Sequence, residues 1–75
     1  MDHLFYDIAV VRSGASHQVQ GRVDHAGLTA SFSADADVRI GDLLLDGVRG
    51  FEIIGIDEAR GRAGRPHHLE AKLTG

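Results

Sequence analysis

"LTASFSAD", residues 28–35, decides how the rest of this chain is read. Leu28, Ala30, Phe32 and Ala34 alternate with Thr29, Ser31, Ser33 and Asp35. A period of two is that of a strand with one face in a core and the other in water, because successive side chains leave a strand on opposite sides. Working upstream, His25-Ala26-Gly27 interrupts a second alternation, in which Val19, Gly21 and Val23 interleave with Gln18, Gln20, Arg22 and Asp24. Before that, the small residues Ser13 to Ser16 read as a turn, and Leu4, Tyr6, Ile8 and Val10 mark a strand over 3–12. Phe5, Ala9 and Val11 make its other face apolar as well, which predicts cover on both sides.

Downstream, Asp35-Ala36-Asp37 is an acidic connection, and Gly41-Asp42 a tight turn into the short strand Leu43 to Leu45. Asp46-Gly47 signals a hairpin, with residues 46–50 reading as a loop wider than two residues. The apolar run from Gly50 to Asp57 is the next strand, and Gly55 within it predicts a bulge or bend. A last strand over 67–73 points Leu69, Ala71 and Leu73 one way and His68, Glu70 and Lys72 the other. Helix formers occur only around 57–64, where glycines allow no more than a turn. The expectation is one all-β domain over 1–75, a small antiparallel β-barrel or sandwich of about six short strands.

At 75 residues the domain buries only about 60 % of the surface its unfolded chain exposes, so its stability is marginal. Without cysteine, neither a disulfide nor a thiolate zinc site adds to it, which directs attention to oligomerisation or a partner surface. The apolar runs fall far short of the roughly 20 residues of a membrane helix, and the acidic start does not suit a signal peptide. Synthesis in the cytosol and no membrane partner are expected.

Charge is divided along the chain. Residues 1–58 carry ten acids and four arginines, net -6, whereas residues 59–75 carry Arg60, Arg62, Arg65 and Lys72 against Glu70, net +3. An acidic body with so few cations on one edge argues against nucleic acid as a partner.

Catalytic and metal patterns are weak. His67 and His68 point to opposite faces of a strand, and His17 and His25 stand roughly 26 Å apart along one. Zinc needs three or four converging ligands, so no metal site and no cofactor is expected. Ser16 adjoins His17 only in sequence, and the turn carboxylates face water, so no enzymatic activity is expected. Gly61-Arg62-Ala63-Gly64 has the glycines of a phosphate loop, but the chain then runs through Pro66 into a strand instead of opening a helix. Arginines of such a loop suit bidentate contacts with carboxylates on a protein. The candidate docking residues are Arg60, Arg62, Arg65, His67 and His68, with Asp35 and Asp37 as an acidic surface that a second copy's arginines would meet head to tail.

"VRIGDLLLDGVRGFEIIGIDEARGR" followed by "PHHLEAKL" resembles the C-terminal half of small tailed-phage and prophage proteins of the head-tail connector, stopper and tail-completion kind. The matching positions are Val38, Gly41, Asp42, Leu44, Asp46, Gly47, Phe51, Ile54 and Asp57, with Leu69, Ala71 and Leu73 in the last strand. The match spans about half the chain, and the basic loop departs from the family's usual turn. The resemblance implies a non-enzymatic β-barrel adaptor of a virion or phage-like particle, working as a ring of its own copies against other structural proteins. The rival reading is an SH3- or OB-like module for a peptide or single-stranded nucleic acid. It would need exposed rings, and the chain offers only Phe5, Tyr6, Phe32 and Phe51, at least two of them at core-facing positions.

Overall fold

The computed structural model describes the backbone of residues 5–60 and 66–75 and the side chains of residues 5–58 and 68–75. Six strands account for the described fold: β1 (Tyr6–Arg12), β2 (Ala15–Asp24), β3 (Thr29–Ser33), β4 (Leu43–Asp46), β5 (Arg49–Arg60) and β6 (Pro66–Thr74). They close into an antiparallel barrel in the order β1-β2-β3-β6-β5-β4, with β4 pairing back onto β1. The all-β expectation holds, and of barrel and sandwich the chain forms the barrel, which leaves no open side to the sheet.

Register and pattern agree in detail. Ile8 pairs with Val19, Val10 with Leu44, Leu44 with Phe51, Ala30 with Ala71 and Ile53 with Leu73, so buried residues meet buried residues around the circle. A one-residue slip on any strand would turn its apolar set outward, which fixes the register. Phe32, Phe51, Ile8, Leu44, Ile53 and Val10 are the largest fully buried side chains, and together with smaller residues they fill the interior as small barrels require.

Gly21 makes room for the largest of them. It pairs with Phe32 across β2 and β3, and a Cβ built on it would lie 2.6 Å from Phe32 Cδ1 and 2.6 Å from the Ser31 carbonyl oxygen. One of these neighbours is backbone and cannot move aside cheaply. Gly21→Ala is therefore expected to cost about 1–3 kcal/mol through overpacking, read as a lower urea midpoint with an unchanged slope. An unchanged midpoint would contradict the close approach.

Several sequence expectations are corrected. The β4–β5 connection is narrower than 46–50 suggests, because Asp46 pairs with Arg49 and leaves only Gly47 and Val48 in the turn. Gly47 takes φ 67°, which a two-residue II′ turn needs at its first central position and which favours glycine. Leu28 and Ala34 do not share the burial of Ala30 and Phe32. Leu28 lies in the turn before β3 at φ 54°, and Ala34 lies just past the strand, so both are exposed. The strand expected over 50–57 runs on to Arg60, since β6 supplies its ladder. In the first strand, Ile8 and Val10 face the core while Tyr6 sits at the rim, and Leu4 lies outside the described residues.

The bulge expected at Gly55 falls beside it. Ile53 pairs with Leu73 and Gly55 with Lys72, which leaves Ile54 as the extra residue. It projects outward and is 52 % exposed, an isoleucine placed in water by a device that commonly re-aims a side chain.

Candidate functional site

Each end of the barrel carries a polar cluster. At the end where β1 finishes, the β3–β4 connection folds over the opening, with Ala36 and Val38 packed against the core. The Arg39–Asp42 turn that leads into β4 is closed by the Asp42 N–H donating to the Arg39 carbonyl at 3.0 Å, with Gly41 at φ 99°. Asp42 shares the inward face of Leu44 and is 2 % exposed, a carboxylate at the edge of an apolar interior.

Arg12 neutralises it. The guanidinium donates through Nε to Oδ1 at 2.9 Å and through Nη2 to Oδ2 at 2.8 Å, a two-pronged match to the carboxylate plane. The Arg39 N–H adds a third donor to Oδ2 at 2.8 Å. Arg12 also reaches Asp37, at 3.1 Å and 3.3 Å to its carboxylate and 3.3 Å to its carbonyl, while His17 Nε2 donates to that carbonyl at 2.8 Å. Hydrogen bonds from Arg12 hold both Asp42 and Asp37 below the usual carboxylate range, against the opposing pull of burial. The same bonds raise the guanidinium further, so it stays charged throughout. Among the described residues no buried side-chain nitrogen or oxygen lacks a partner. The cluster is complete in itself and acts as a latch that fastens the β3–β4 connection to β1 and β2.

At the opposite end, His25 Nε2 lies 2.7 Å from Asp46 Oδ2, and Arg49 Nη1 lies 3.5 Å from His25 Nδ1. The Arg49 guanidinium sits 5.0 Å above the Phe51 ring, and the His25 ring meets Phe51 edge-on at 5.3 Å. Tyr6 Oη donates weakly to Asp46 at 3.5 Å and accepts the Val23 N–H at 3.2 Å. A histidine oriented by a carboxylate is part of a hydrolytic triad, but among the described residues no serine or threonine hydroxyl is a hydrogen-bond partner of His25. The arrangement clasps the β2–β3 turn to the β4–β5 hairpin. Among the described residues no three histidines or carboxylates gather in a metal-ligating group.

Of the docking residues expected from sequence, the side chains of Asp35, Asp37 and His68 are described, and they stand at one end of the barrel, where His68 pairs with Ser33 across β6 and β3. Asp35 accepts the Ser33 hydroxyl at 3.1 Å, and Asp37 is engaged by Arg12 of its own chain. A head-to-tail contact through Asp37 would therefore compete with an internal pair. His68 lies 3.0 Å from Glu70 on the outer face of β6. Arg62 and Arg65 lie outside the described residues, as do the side chains of Arg60 and His67.

Sequence reasoning did not single out the outer face of the β4–β5 hairpin. Seven described large hydrophobic residues are exposed, and five of them, Ile40, Leu43, Leu45, Val48 and Ile54, fall within residues 40–54. Leu43 and Leu45 alternate outward from buried Leu44, with half-buried Val11 and Ala9 beside them on β1. Across β4, Gly50 leaves open the space between their side chains, each 3.6 Å from where its Cβ would stand. Clustering separates this face from the single exposed apolar residues found on most surfaces. A signal was present in the unbroken run Leu43-Leu44-Leu45, since a four-residue strand with one face in water needs only Leu44. Comparison of the chain with protein-family models, with curated proteins and with solved structures finds no match.

Proposed function

We propose that this protein is a non-enzymatic assembly adaptor of a phage or phage-derived particle, of the head-tail joining type, acting through protein-protein contacts. The observation that carries the reading is the apolar outer face formed by Leu43, Leu45 and Ile54 on a barrel whose interior is already filled with side chains. A filled barrel does its work on its outside, and a clustered apolar surface in a chain with little core to spare is a protein-docking surface. The resemblance of residues 38–73 to connector and tail-completion proteins adds the direction.

Its test is deletion of the coding sequence from its genome, which this reading places in a phage-like element. Electron microscopy is expected to show separate heads and tails, restored to joined particles by the wild-type chain and not by Leu45→Glu. Joined, functional particles without the protein would refute the assignment.

A further inference from the structure

We infer that Asp46-Gly47, at the tip of the β4–β5 hairpin, is a site of spontaneous backbone isomerisation that His25 restrains in the folded chain. The reaction is internal to the chain. The Gly47 main-chain nitrogen attacks Cγ of the Asp46 carboxyl group, a nitrogen–carbon bond forms, and the N–H proton leaves with one carboxyl oxygen as water, closing a cyclic imide. Water then opens the ring. Addition at Cγ restores aspartate, and addition at the former main-chain carbonyl leaves isoaspartate, in which the chain runs through the side-chain carbon. One water is lost and one is gained, so no other reactant is needed.

Three features place the reaction here. Asp46 is the one aspartate in the sequence followed by glycine, and every other precedes a residue whose Cβ hinders approach to the nitrogen. Gly47 is exposed, and a Cβ built on it would have no neighbour within 4 Å, so nothing crowds the ring that forms. The two-residue turn leaves the Gly47 N–H outside the ladder, which resumes at Arg49, and among the described residues no acceptor takes it.

The carboxyl group is the restrained partner. His25 Nε2 donates to Asp46 Oδ2 at 2.7 Å, and Tyr6 Oη reaches the same oxygen at 3.5 Å. A carboxyl pinned in this way has little freedom to turn its carbon onto the nitrogen, the alignment that attack requires. His25 is itself held, by its edge-on contact with Phe51 and by Arg49 Nη1 at 3.5 Å from Nδ1. Isoaspartate adds a main-chain atom next to the Asp46–Arg49 pair that closes the hairpin, and so disturbs the strand that carries Leu43 and Leu45.

The test is ageing of the full chain at neutral pH, followed by peptide mapping with chromatography and electron-transfer fragmentation, which separate isoaspartate from aspartate of equal mass. The chain has no asparagine, so deamidation of asparagine adds nothing to the signal. Isoaspartate is expected at residue 46 ahead of every other aspartate, and faster in urea than in the folded wild type. His25→Leu, which keeps apolar packing on Phe51, and His25→Ala both remove the donor. Whichever of them circular dichroism shows to be folded is expected to isomerise on the order of fivefold faster than wild type, the factor that one hydrogen bond is worth. His25→Gln, whose amide N–H reaches toward the same oxygen, is expected to bring the rate back toward wild type. Absence of isoaspartate at residue 46 even in urea, equal rates in folded and unfolded wild type, or a folded donor-less variant that ages no faster than wild type each overturns the inference.

Discussion

Phe32→Ala is expected to remove a large part of the chain's stability at room temperature. Phe32 is fully buried, pairs with Gly21 and Leu69, and lies in the middle of the barrel interior. Removing a buried phenylalanine ring costs about 3–5 kcal/mol, from lost transfer energy and from the cavity left behind. A chain of this length has only roughly 4–11 kcal/mol of stability in all. The neighbours have little means of collapsing into the gap, because the strands are held in a closed circle of backbone hydrogen bonds. Urea titration followed by far-ultraviolet circular dichroism is the measurement, and Phe32→Leu is the graded control, which keeps most of the volume and should cost less than half as much. Two melts indistinguishable from wild type would mean that Phe32 is not in the core.

The second large effect is at the latch. Asp42→Ala is expected to lose about 1.5–3 kcal/mol, in the range for charge-assisted hydrogen bonds at a part-buried site, because it removes the acceptor of three hydrogen bonds, while the Arg12 guanidinium at the barrel mouth keeps Asp37. Asp42→Asn keeps one acceptor oxygen but carries no charge, and is expected to fall between wild type and alanine. Acid carries the same signature. Asp42 and Asp37 have folded pKa values depressed below the ordinary carboxylate value, so the unfolded chain takes up their protons first as pH falls. Their contribution is complete above the unfolded value near 3.8 and is lost as pH drops below it toward the folded values. Wild-type stability is therefore expected to fall steeply below about pH 4, and Asp42→Asn to flatten that fall. Equal acid sensitivity in the two proteins would show that the Arg12–Asp42 pair contributes nothing to folding.

Most of the barrel was legible because alternation is a local property of the chain. Val19, Gly21, Ala30, Phe32, Ala71 and Leu73 each declare a face through their neighbours, and the turns at 13–14 and 39–42 contain the small residues such turns need. The two ends were not legible. Arg12 and Asp42 are 30 residues apart, His25 and Asp46 are 21 apart, and nothing local couples them until the barrel closes β1 onto β4 and brings the turn after β2 to the β4–β5 hairpin. Asp42 read as a turn residue, which it is, but its inward carboxylate follows from sharing the parity of Leu44, a fact of pairing and not of composition. The exposed face was missed for a related reason. Leu43-Leu44-Leu45 is a uniformly apolar run, and such a run cannot distinguish a strand covered on both sides from one left open on one.

Leu28 shows the converse case. Its place in the alternation assigns it inward, yet its carbonyl accepts the Leu73 N–H at 2.9 Å from a left-handed backbone position, and the turn turns its side chain to solvent. Hydrogen-bond demands at the start of β3 outweigh burial of one leucine. The acidic 35–37 turn was read as a surface offered to a partner, whereas Asp37 is held within its own chain by Arg12 and His17.

Closure of the sheet is the claim on which the filled interior, the latch and the outward leucines all depend, and the β1–β4 seam tests it. Nuclear Overhauser measurements on the isotope-labelled chain are expected to give backbone contacts between Ala9 and Leu45, Val10 and Leu44, and Val11 and Leu43, with slow amide exchange along both strands. Contacts along the other five seams with none between β1 and β4, and fast exchange there, would make the fold an open sheet and contradict the account.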